Sequence, residues 1–195
     1  MIRSFSVIYK KSVVKYLYGN IRIDRKCGYC GSDRSIIDIM NDIEIMQLGI
    51  KEAEKTMAEN MGGPFGAAIV KDGEVIAVSS NHVLANNDPT AHAEVEAIRS
   101  ACRKLGTYDL SGCEIYATGY PCPMCLSAII WANIKKVFVC GLPEDAEKIG
   151  FRDDFIYRFI QDRMQDKDTL EIVELDRKPA QELYEKYAAM NKIIY

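Results

Sequence analysis

Histidine is scarce in this chain of 195 residues: there are two, His82 and His92. Any imidazole chemistry must use one of them. Tryptophan is scarcer still, with Trp131 alone. Long apolar runs are missing, and none approaches the roughly 20 residues that span a bilayer as a helix. The opening residues lack the apolar stretch and small-residue cleavage site of a secretory leader. An excess of positive charge is missing as well. The formal net charge is −3, which argues against a general nucleic-acid binder. The seven cysteines are odd in number and scattered, so they give no disulfide framework and fit a reduced, cytoplasmic chain. No internal repeat or low-complexity tract is present. With 48% apolar residues, the chain is long enough for one domain with its own core.

Charge divides the chain unevenly. Residues 1–39 carry eight Lys/Arg and three Asp/Glu, whereas the remainder carries 17 and 25. The change falls at Met40. Residues 1–39 are expected to be an atypical basic extension with little order. Cys27-Gly28-Tyr29-Cys30 has the spacing of a metal knuckle, but no second ligand pair lies nearby.

Residues 40–195 alternate between helical and strand patterns. Asn41 and Glu44 form a capping-box pair. Ile43, Met46, Ile50, Ala53 and Met57 follow at helical spacing, which predicts a helix with that stripe buried. Gly62-Gly63-Pro64 ends it. Residues 65–70 and 75–78 predict two strands joined at Asp72-Gly73. A helix is expected from about Ala91, with Val95, Ile98, Ala101, Cys102 and Leu105 inward and Gly106 as its stop. Residues 115–118 and 137–140 predict two more strands, flanking a helix from about Cys122 to Ala132. Residues 144–167 suggest short helices, 169–175 a last strand, and Pro179 the start of a C-terminal helix. Strands alternating with helices give an α/β layered domain.

Two short motifs carry chemistry. His92-Ala93-Glu94 falls at the start of one predicted helix. Pro121-Cys122-Pro123-Met124-Cys125 falls at the start of another. His92, Cys122 and Cys125 are ligands of the right softness for zinc. Three protein ligands leave the fourth tetrahedral position open for water, and Glu94 is then free to move protons. Only His82 is left as a histidine that could close the site and make it purely structural. Together the motifs read H-x-E…P-C-x-x-C, the signature of zinc-dependent nucleobase deaminases.

At these residues the chain resembles the cytidine-deaminase superfamily, and within it the small zinc-dependent guanine deaminases. The resemblance runs from about Asp42 to Tyr195. It includes Gly62 to Ala67, Ile69 to Gly73, Asn87 to Val95, Pro121 to Leu126 and Trp131-Ala132. Gly150-Phe151-Arg152-Asp153-Asp154-Phe155-Ile156-Tyr157 is similar to that family's G-F-x-D-x-F-I-Y stretch. The resemblance implies a three-layer α/β/α fold with a central mixed sheet of about five strands. It also implies a homodimer that exchanges C-terminal segments. It implies that Asn81 holds the purine, that Phe65 and Trp131 shape its pocket, and that Ala93 is a further substrate contact. Asp153 would assist proton transfer to the leaving amine, and Tyr195 would reach the partner's site. The chain departs from the family at Gly119-Tyr120, where Cys-Glu is common, and at Arg152, which replaces an acid.

The activity this implies is hydrolysis of guanine to xanthine and ammonia with zinc as cofactor. Other bases or nucleosides (cytosine, cytidine, guanosine) are alternative substrates, as is adenosine in tRNA. A structural zinc module is the non-enzymatic alternative. No membrane partner is expected.

Overall fold

The computed structural model describes residues 40–194. The basic extension, its Cys27/Cys30 pair and the terminal Tyr195 lie outside the described residues. Helix α1 (Asp42–Ala58) starts as its capping box dictates. The Asn41 side chain accepts the Ile43 and Glu44 amides at 3.0 Å each, and the Glu44 carboxylate accepts the Asn41 amide at 2.8 Å. The buried face differs from the predicted stripe. Ile45, Gly49, Ala53 and Thr56 face inward, while Ile43 is 70% exposed and Met57 is exposed. The reason is close approach: a β-carbon on Gly66 would collide with the Gly49 carbonyl. The helix therefore meets the sheet through small residues beside Ile45, with Ala53 of the predicted stripe buried and Met46 packed against the core.

Four strands form one mixed sheet: β1 (Gly66–Lys71), β2 (Glu74–Ser80), β3 (Cys113–Ala117) and β4 (Lys136–Val139), in the order β2-β1-β3-β4. Strands β1 and β2 are antiparallel, turned at Asp72 and Gly73, both at positive φ. That conformation is why the turn carries Asp-Gly. Strand β3 is antiparallel to β1, and β4 is parallel to β3. A parallel neighbour needs a crossover, and α4 (Pro123–Trp131) supplies it. The sheet of about five strands is thus four among the described residues. Residues 169–175 carry no strand, which corrects that expectation.

Strand β1 is covered on both faces. Ala67 and Ile69 join one core cluster with Ala97, Ala101, Ile115, Ile129 and Ile134 under α3 (Ala93–Leu105) and α4. Ala68 and Val70 join Ile45 and Tyr116 under α1. Doubly covered strands read as continuous apolar runs, and helices on both faces make the three layers. A short α2 (Val83–Asn86) was not foreseen. Beyond β4 come α5 (Pro143–Lys148), α6 (Asp154–Gln161) and α7 (Lys178–Ala189). Helix α7 makes no extensive contact with another element, and its Leu183, Tyr184 and Tyr187 are exposed. Among the described residues, no helix is long and apolar enough to cross a membrane.

Candidate active site

Two helix starts converge on one point. His92 is the N-cap of α3 and Glu94 lies in its first turn. Cys122 is the N-cap of α4, Pro123 opens its first turn, and Cys125 follows. Pro at that position sacrifices no helical hydrogen bond. His92 Nδ1 lies 3.6 Å from Cys122 Sγ and 3.6 Å from Cys125 Sγ. All three atoms lie within 4.8 Å of one another. A tetrahedral zinc with ordinary Zn–N and Zn–S bonds spaces its nitrogen and sulfur ligands by about 3.6 Å, so the donor set fits that ion in type and distance. His82 does not complete the set: its Nδ1 lies 2.8 Å from the Ser80 carbonyl oxygen. Among the described residues these three donors converge; on a bound zinc they would leave one position for a small molecule.

The surroundings are tuned for a cation. The neighbouring Cys125 and His92 side chains pull the Cys122 thiol below its usual range against the cost of burial. Cys125 is pushed up by its hydrogen bond with Cys122 and by burial. One sulfur is therefore a ready thiolate, helped by the positive end of α4. The hydrogen bond to Cys122 raises His92. Burial raises the Glu94 carboxyl above the usual carboxylate range. Glu94 is 7% exposed, and a buried acid on a cavity wall is a candidate for moving protons.

A cavity of about 530 Å³ opens over this point. His92, Glu94 and Cys122 line it, with Phe65, Asn81, Tyr120, Phe151 and Asp153. Asn81 is held from behind. Its Oδ1 accepts the Gly63 and Val83 amides at 3.2 Å each, which leaves its NH2 group to donate. A β-carbon on Gly62 would collide with both Asn81 oxygens, so the Gly-Gly pair lets the chain pass that close. Phe65 meets Phe151 edge to face at 5.0 Å between ring centres, and a β-carbon on Gly119 would crowd the Phe65 ring at 3.1 Å. Asp153 is the N-cap residue of α6, and its side chain makes no capping hydrogen bond. Burial and the nearby Cys122 raise its carboxyl.

A sequence profile described as the cytidine and deoxycytidylate deaminase zinc-binding region matches residues 40–141. The chain belongs to this family of zinc-dependent deaminases. Guanine deaminase of Bacillus subtilis is 50% identical over 121 residues, covering 62% of this chain and 78% of that protein. A tRNA-specific adenosine deaminase of Aquifex aeolicus is 44% identical over 97 residues, covering 50% and 64%. Among solved structures, the Bacillus subtilis guanine deaminase aligns with a TM-score of 0.76 at 41% identity, covering 80% of this chain and 99% of that one.

This deaminase brings most of the predicted site together, but not all of it. Phe65, Asn81, His92, Glu94, Cys122 and Asp153 all line the cavity, and Cys125 lies behind them. Ala93 is fully buried in the core beneath α3 and is not a lining residue. Trp131 is not one either: it ends α4 and is 74% exposed. The family resemblance suggested a pocket wall, yet at the end of the helix Trp131 is not part of the wall of this chain's own cavity. Several residues of the site went unread, among them Gly62, Gly63 and Phe151. Gly62-Gly63-Pro64 carried a signal, because paired glycines mark close backbone approach as well as a helix stop.

Proposed function

We propose that this deaminase hydrolyses guanine to xanthine and ammonia. One observation carries the reading. A His-Cys-Cys group, with His92 and Cys122 on the cavity wall, lies beside a buried carboxylate and an oriented amide, in a chain 50% identical over 121 residues to a guanine deaminase. His92, Cys122 and Cys125 would hold zinc, which supplies a Lewis acid that makes water nucleophilic at neutral pH.

The chain's own residues do the rest. Asn81, its oxygen occupied by backbone amides, presents its NH2 to an acceptor on the purine. Phe65 covers a face of the ring. Glu94 takes a proton from the attacking water and passes it to the ring nitrogen next to the amine-bearing carbon. Oxygen adds to that carbon, the C–N bond breaks, and ammonia departs with the help of a proton handled at Asp153. Guanine and water thus balance xanthine and ammonia. Ala93 and Trp131 are kept as further contacts, Ala93 through its backbone beside Glu94.

Trp131 and Tyr195 belong to the assembled protein. We assign residues 40–195 to the catalytic domain, with 1–39 as an extension, and propose a homodimer that exchanges the chain beyond α6. The support is surface composition. Leu170, Ile172, Val173, Leu175, Ile193 and Ile194 are each more than half exposed, and apolar side chains so exposed are the usual material of an interface. Tyr195 would then border the partner's cavity. Zinc held by thiolates, with Cys102, Cys113 and Cys140 also free, supports a reducing compartment such as the cytoplasm.

Similarity to tRNA-specific adenosine deaminases supports a second substrate, but residues 40–195 carry 17 basic and 25 acidic side chains. An acidic body is a poor partner for a phosphate backbone. The deciding experiment measures ammonia release from guanine, guanosine, cytosine, cytidine, adenine and a tRNA substrate. Release from guanine first is expected. Release from tRNA adenosine or cytidine alone would replace guanine, and no release from any zinc-loaded sample would remove the activity.

A further inference from the structure

The Tyr157 hydroxyl donates to the carbonyl oxygen of Pro121 at 3.2 Å. Among the described residues, this is the only hydrogen bond between α6 and residues 40–141. Each partner needs it. Pro121 is fully buried and sits just ahead of the α4 N-cap, where its carbonyl accepts no backbone amide among the described residues. A buried carbonyl without a donor is costly. Helix α6 has only eight residues, too few to stand alone in water, and so depends on what it docks against.

The spacing gives this hydrogen bond a use. Tyr157 lies four residues after Asp153, so the two share one face of α6, a turn apart. Pro121 lies next to Cys122. The bond therefore joins the turn that bears Asp153 to the loop that bears Cys122. Asp153 feels the charge of Cys122, Tyr157 feels that of Asp153, and the Asp153 carboxyl has no cap bond of its own to fix it.

We propose that Tyr157 is a positioning residue, which sets Asp153 over the reaction site by clamping α6 to the Pro121 carbonyl. The proposal rests on the proton-handling role given to Asp153 above. Tyr157→Phe keeps the ring and removes only the donor. In that variant guanine kcat should fall about tenfold, the size of a lost buried hydrogen bond. KM should stay within about twofold and zinc content should not change. In a Tyr157→Phe/Asp153→Asn double variant the loss should equal that of Asp153→Asn alone. Amide hydrogen exchange over residues 154–157 should quicken about tenfold while α3 is unaffected.

Exchange is read without turnover, so the clamp can be judged even on a protein that does not deaminate guanine. Unchanged exchange over α6 overturns the clamp. Losses that multiply in the double variant overturn the route through Asp153. Normal turnover by Asp153→Asn overturns the role of Asp153 itself, and the proposal with it.

Discussion

A carboxylate that is 7% exposed beside two sulfurs and an imidazole is expensive to bury unless it has work to do. Its neighbours divide the labour, and two substitutions separate the parts. Cys122→Ser replaces a soft thiolate with a hydroxyl, so metal analysis should find most of the zinc gone. Glu94→Gln leaves the ligands alone. Zinc content should hold while kcat falls by about 10²–10⁴; full turnover would take Glu94 out of the reaction. These residues were legible in the sequence because their spacing is local: two residues in one motif, three in the other. Asn81 and Phe65 needed a family resemblance. Phe151 and Tyr157 act through contacts across long sequence distances, with Phe65 and Pro121, and no local pattern announces such pairs.

At the scale of elements, punctuation was more telling than periodicity. The Asp72-Gly73 turn, the Gly106 helix stop and the Asn41/Glu44 box all stand where their chemistry demands. The apolar stripe of α1 did not, because helix and strand meet through Gly49 and Gly66, and absent side chains leave no hydrophobic signal. That contact makes a firm prediction. Gly66→Ala puts a methyl group against a backbone carbonyl that cannot swing aside, and overpacking of this kind costs about 1–3 kcal/mol. Thermal unfolding should shift down by about 3–10 °C. An unchanged midpoint would mean that α1 lifts off β1 freely. Residues 169–175 misled in the other direction. Their apolar content suits a strand, but a strand exists only beside a partner, and none lies there among the described residues.

At the scale of the molecule, the two parts of the described chain contrast. Residues 40–141 bury a layered core. After α6 the apolar side chains face outward. A tail of that composition is stable only against another surface. Deleting residues 192–195 should lower guanine turnover while zinc stays bound. A truncated protein with full turnover that sediments as a monomer would refute both the exchange and the placement of Tyr195.

Trp131 sits outside its own cavity, 74% exposed at the end of α4, and it is the only indole in the chain. That makes the protein its own optical probe. Excited at wavelengths that tyrosine does not absorb, the chain emits from one ring. An indole in water emits to the red, and one covered by apolar side chains emits to the blue. If a second subunit closes over that face, the spectrum should move to the blue as protein is concentrated and return on dilution, with a midpoint at the dissociation constant. A spectrum that stays red at every concentration would mean that Trp131 is left in water, and that no second subunit closes over that face.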